Sequence, residues 1–142
     1  MSQPDGFDRL ERLRADAGHI AAVAEFVRDV DRWVEDATDA PLQQYLRFHV
    51  TAARRRRYRR DKWLRIAAQQ IDAAGPYAGA VLLKGELEAF IARGPWRTWR
   101  EAGAPPAEAS ALKTALFYVA TFNDGEGLSQ RTLQDVVGNE WR

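Results

Sequence analysis

Along the chain, apolar residues recur at intervals of three and four, and runs alternating apolar with polar are absent. That period predicts helices and no sheet. The opening helix is predicted to start near Pro4–Phe7, with Phe7, Leu10 and Leu13 on one side and Gly18 interrupting it. A second runs from about His19 to Ala37, on a stripe of Ile20, Val23, Phe26, Val27, Val30, Trp33 and Val34. Asp39-Ala40-Pro41 restarts the chain, because proline fits a first helical turn. The third helix is expected from Leu42 to Ala74, where Gly75-Pro76 stops it, and its length predicts a bend.

A fourth helix is predicted from about Tyr77 to Ala92, with Val81, Leu82, Leu83, Leu87, Phe90 and Ile91 as its core side. Gly94-Pro95 closes it, and a short segment, Trp96 to Glu101, leads into the loop Gly103-Ala104-Pro105-Pro106. The fifth main helix spans about Ala107–Phe122, with Leu112, Leu116, Phe117, Val119 and Phe122 apolar. After the loop Asn123–Gly127, Ser129 has the chemistry of an N-cap for a last helix, Gln130–Val137, closed by Gly138. The expected fold class is all-α: a single helical bundle or irregular helical domain of about five to six helices over residues 1–142, with one long, bent third helix.

Composition narrows the chemistry. Hydrophobic residues make up 46% of 142, enough for a real core. There is no cysteine, which removes disulfides, thiol nucleophiles and thiolate metal sites together and suits a reducing, cytoplasmic setting. No apolar run reaches the roughly 18 residues a membrane span needs, and the N-terminus lacks the pattern of a secretory leader. No membrane association is expected.

The net charge of +1 conceals a polarised distribution. Arg47, Arg54, Arg55, Arg56, Arg57, Arg59, Arg60, Lys62 and Arg65 face a single acid, Asp61, between residues 47 and 65, making that segment +8 and the remainder −7. On a helix, the apolar line entering through Leu42, Tyr45, Leu46, His49 and Ala53 leaves through Trp63, Leu64, Ala67 and Ile71, and passes straight through Arg56 and Arg60. The segment is then charged on every side except at Tyr58. Burying such a turn unpaired costs several kcal/mol per charge, roughly, so it must face solvent, a partner or a ligand. An antiparallel hairpin about residue 40 sets Arg54–Lys62 opposite roughly residues 18–26, which offer only Glu25. The acidic cluster Asp29, Asp31, Glu35, Asp36 and Asp39 falls at another level, leaving the arginines largely uncompensated unless a further helix supplies acids.

Phosphate is the common external compensator, bound bidentately by arginine, and Tyr58 and Trp63 could stack on bases or ribose. The predicted interface is therefore Arg54, Arg55, Arg56, Arg57, Tyr58, Arg59, Arg60, Lys62, Trp63 and Arg65, gripping the backbone of DNA or RNA without reading sequence.

Other features point to bland roles. Two histidines, His19 and His49, make a poor metal site. The acidic cluster reads as a solvated or docking face, able to complement the basic segment of a neighbouring copy. Pro95-Trp96-Arg97-Thr98-Trp99-Arg100 reads as a short helix covering the core, with an aromatic interface as the alternative. Leu128–Gly138 resembles the positioning helix of a helix-turn-helix, but no recognition helix follows. Asn123–Gly127 lacks the spaced ligands of a calcium loop, and no phosphate-binding glycine motif is present.

Phe90 and Gly94-Pro95-Trp96-Arg97, followed by Ala115-Leu116-Phe117-Tyr118 and Asp124-Gly125, resemble small helical subunits of CRISPR effector complexes. Such proteins, like phage terminase small subunits, are small, basic and all-helical, and the resemblance implies a subunit lining a nucleic-acid groove. With no catalytic constellation and no cofactor motif in the chain, the expectation is a non-enzymatic nucleic-acid-binding subunit of a larger assembly, with protein partners or self-association. The alternative is a helical interaction or scaffold module whose basic helix docks an acidic protein.

Overall fold

The computed structural model describes residues 6–48 and 51–141 and is helical throughout, with eight helices and no strand among them. No helix there is long and apolar enough to cross a membrane. The chain divides into two compact units, Met1–Val50 and Thr51–Arg142. The first holds six basic and ten acidic residues, net −4; the second holds fifteen and ten, net +5.

In the first unit, α1 (Gly6–Ala17) packs on α2 (Ala21–Asp36), and α2 on the single turn α3 (Leu42–Tyr45). Gly18 ends α1 for a steric reason: a Cβ there would stand 2.4 Å from the Arg14 carbonyl oxygen. The predicted α2 stripe forms, but only Val27 and Val30 are fully buried, while Ile20, Phe26 and Val34 stay exposed. The Trp33 indole N–H donates to the Ala40 carbonyl at 2.9 Å, folding the chain back after α2.

The long third helix of the sequence reading is instead two. Arg47, in the left-handed region at φ 57°, follows α3, and α4 (Ala52–Gln69) starts afresh at Thr51, whose hydroxyl accepts the Arg54 amide at 3.2 Å. Periodicity alone joined the two, because the apolar line continues across the break. An extended N-cap with a side-chain acceptor starts a helix independently.

The second unit carries the main core. Here α4 packs chiefly on α7 (Ala111–Phe122), and α5 (Pro76–Ala92) on α8 (Gln130–Val137) and α7; the short α6 (Trp96–Ala102) covers one end. Leu64, Leu83, Leu87, Leu116, Val119, Leu133 and Val137 are fully enclosed. The last helix has the predicted bounds, capped by Ser129 accepting the Thr132 amide at 3.2 Å. α7 begins four residues later than expected, because Ser110 caps it through the Lys113 amide.

Val81 and Leu82, predicted on the core side of α5, are exposed. This helix is apolar nearly all round, so its pattern does not select a face. Contacts do: a Cβ at Gly79 would lie 2.2 Å from the Trp141 ring, so the Gly79–Ala80 side is pressed inward.

Candidate functional site

α4 and α7 run antiparallel, and four contacts fix their register. Trp63 stacks on Tyr118, ring centroids 4.5 Å apart at 21°. The Arg59 guanidinium lies over the Phe122 ring, 4.5 Å from its centroid. Arg60 donates to the Asn123 side-chain oxygen at 3.5 Å, and Arg56 forms an ion pair with Asp124. The line through Arg56, Arg60, Trp63 and Ala67 thus faces α7, as the continuing apolar stripe required. It ends in cations because the acceptors waiting there, Asn123 and Asp124, are polar.

Arg60 is the most enclosed of the arginines, with 13% of its side chain exposed. Its Nε and Nη2 both donate to one carboxylate oxygen of neighbouring Asp61, at 2.8 and 2.7 Å. Asn123 in turn donates to the carbonyls of Glu126 and Gly127, at 2.8 and 3.2 Å, and so ties the α7–α8 turn together. Asp124 sits just past the α7 C-cap with φ 57°, and the Gly125 amide reaches back to the Ala120 carbonyl at 2.8 Å. That is the left-handed termination usual for glycine, here occupied by aspartate.

These contacts answer the compensation problem from an unexpected quarter. Anions for Arg56 and Arg60 come from the α7–α8 turn and from Asp61. Three of the five acids of α2 have partners in their own unit: Arg14 grips Asp31 with two hydrogen bonds of 2.9 and 2.7 Å, the Tyr45 hydroxyl donates to Asp36 at 2.7 Å, and Arg32 reaches Asp29 at 3.5 Å. Glu88 pairs with Lys84. Asn123 and Asp124 were absent from the predicted site. Their signal was the short sequence Asn-Asp-Gly directly after a strongly apolar helix, which marks a C-terminal turn.

The ten predicted residues therefore separate. Arg56, Arg59, Arg60 and Trp63 are engaged with α7, the turn after it or Asp61. At about 100° per residue, Arg54, Arg55, Tyr58, Lys62 and Arg65 fall within an arc of roughly 100° on the opposite side of α4. All five are exposed. The four cations of that stripe make no ion pair among the described residues, and neither does Arg57, at its margin. The stripe runs roughly 16 Å along the helix.

Position within α4 adds to its field. The helix has no acid in its first turn, and Arg54 and Arg55 fall in that turn, at the end where the macrodipole is already positive. Like charges and dipole oppose one another there, and an anion relieves both.

No protein-family model, curated protein or solved structure matches this chain. Of the residues carrying the resemblance to CRISPR small subunits, Phe90, Trp96, Ala115, Leu116 and Phe117 are buried in the core, while Gly94, Arg97 and Asp124 are exposed. Trp96 and Trp99 lie against Phe117 at 5.6 and 6.3 Å, the core-covering role, with Arg97 and Arg100 outward. His19 is exposed, and His49 lies outside the described residues. Among the described residues no three His, Cys, Asp or Glu side chains gather closely enough to hold a metal ion.

Proposed function

We propose that this chain is a non-enzymatic nucleic-acid-binding subunit that grips phosphate backbone through the outward stripe of α4. Arg54, Arg55, Lys62 and Arg65 make the phosphate contacts, Arg57 adds one at the margin, and the exposed Tyr58 ring stacks on a base or sugar between them. Arg56, Arg59, Arg60 and Trp63 position the helix on α7. The observation that carries the reading is the split itself: the arginines whose charges the fold needs are paired, and those left over lie on one continuous face. Cations in excess of what folding uses raise self-repulsion in the free protein, and a polyanion offsets it. Nothing in the stripe reads bases, so affinity is expected to exceed selectivity.

Fluorescence anisotropy with labelled single- and double-stranded DNA and RNA, over a salt series, tests this. Binding that weakens steeply with salt, and is lost in Arg54/Arg55/Lys62/Arg65→Ala while Arg97/Arg100→Ala retains it, supports the reading. Equal binding by the two variants, or no binding by the wild type, refutes it.

A second reading, a protein-interaction module, draws on a different observation. In the first unit, Phe7, Ile20, Phe26 and Val34 are exposed apolar side chains on α1 and beside or on α2. Docking of an acidic protein on the α4 stripe would appear in the same assay as competition with nucleic acid.

A further inference from the structure

We infer that the outer face of α5 pairs with the same face of a second copy of this chain. Three observations on that helix converge. Tyr77, Val81 and Leu82 expose 68%, 43% and 48% of their surface, a concentration of large apolar groups that nothing in the described residues covers. Between them and the end of the helix lies Gly85. It is a mid-helix glycine with no heavy atom within 4 Å of the place its Cβ would occupy. Glycine weakens a helix interior, and Gly85 has no neighbour inside the chain to account for it. Gly79, on the opposite side, has one in Trp141.

The third observation supplies the occupant. Lys84 and Glu88 lie on the flank of that face beside Tyr77 and Val81, away from Leu82, and pair with each other within the helix. Placing a two-fold axis midway between them, with two α5 helices antiparallel, sets Lys84 of each copy opposite the partner's Glu88. One helix turn then provides two ion pairs across the contact, which is the self-complementarity an isologous interface requires. Gly85 falls within about 1.5 Å of the crossing point along the axis. A residue without a side chain there lets the two axes close to roughly 8 Å, the near end of ordinary helix packing. Val81 and Tyr77 of each copy then flank the crossing. An unrelated partner would explain the apolar residues, but not a charge pair that complements itself about a glycine.

Sedimentation velocity over a roughly thousandfold range of concentration tests this, because self-association follows mass action. The wild type is expected to move from dimer to monomer on dilution. Gly85→Gln adds a side chain where the monomer has open space. It should keep the monomer folded and raise its melting temperature in dilute solution, while abolishing the dimer. Lys84→Glu should weaken the dimer about tenfold or more by setting like charges face to face, and Lys84→Glu/Glu88→Lys should restore it. A wild type that stays monomeric throughout, a dimer indifferent to Gly85→Gln, or a charge reversal that the double variant fails to rescue overturns the inference. Nucleic-acid binding through α4 is measured separately, so either proposal can fail alone.

Discussion

Arg56 and Asp124 are 68 positions apart in sequence and form an ion pair, and Asp124 offers its carboxylate from a left-handed backbone conformation. The geometry ties the start of α4 to the end of α7. The pair is open to water, with half of the Arg56 side chain and 76% of the Asp124 side chain exposed. An exposed pair contributes about 0–1 kcal/mol, and a left-handed non-glycine residue costs about 1–2 kcal/mol. The two nearly cancel. Asp124→Gly is therefore expected to leave stability within about 0.5 kcal/mol of the wild type. Asp124→Ala keeps the strain and loses the pair, and should cost about 1 kcal/mol. Urea denaturation of the two variants checks the ordering.

Trp63 separates packing from binding. It was a stacking candidate for nucleic acid and is instead half-buried against Tyr118. Trp63→Ala should destabilise by about 2–4 kcal/mol, somewhat below the range for fully buried tryptophan. Trp63→Phe should keep affinity for nucleic acid within about twofold of the wild type, as expected of a residue outside the contact. Tyr58→Ala should lower affinity for single strands by about 1–3 kcal/mol.

Within the binding proposal, the slope of log affinity against log salt should separate the two faces of α4. Each phosphate contact removed from the stripe should reduce the slope by about 0.7–0.9. Arg60→Gln should instead lower stability, because it disconnects Asp61 and Asn123, with little change in slope. Paired salt titrations and thermal melts distinguish the two outcomes.

Acid should act on the first unit through Arg14 and Asp31. The hydrogen bonds from Arg14 hold the Asp31 carboxyl below its ordinary value, with the attraction between the charges adding to them and desolvation opposing. A group whose folded value is depressed adds stability above its unfolded value, near 3.9, and loses it as pH falls through the folded value. The α1–α2 contact should accordingly weaken in acid below the ordinary carboxylate range and be insensitive above it. Asp31→Asn should remove this contribution to the pH dependence, as followed by amide resonances of α1.

Two glycines of α5 should respond in opposite directions. Gly79→Ala forces a methyl group into the Trp141 ring and should cost about 1–3 kcal/mol. Gly85→Ala meets no neighbour in the chain and should stabilise the dilute monomer by about 0.5–1 kcal/mol.

Much of this fold is legible in the sequence where chemistry and period agree. Ser129 and Gly138 bracket α8 because a hydroxyl cap and a glycine act locally. Trp96 and Trp99 read as core because their spacing suits one face of a short helix. Legibility fails where a period is continuous but the backbone is not. Leu42 and Leu64 lie on one apolar line, yet Arg47 and Thr51 part the helices that carry them. It fails again on α5, where apolar residues on all sides leave the buried face to be chosen by Trp141, a residue more than 50 positions away. The site was half legible. Arginine density located α4, but only the fold shows that Arg56 and Arg60 are held by Asp124, Asn123 and Asp61 while Arg54 and Lys62 are not.

The opposite signs of the two units, −4 and +5, bear on how a phosphate strand would be met. Within the binding proposal, only the second unit is drawn to phosphate, and the net charge of the first opposes capture. Salt should weaken the attraction and the repulsion together.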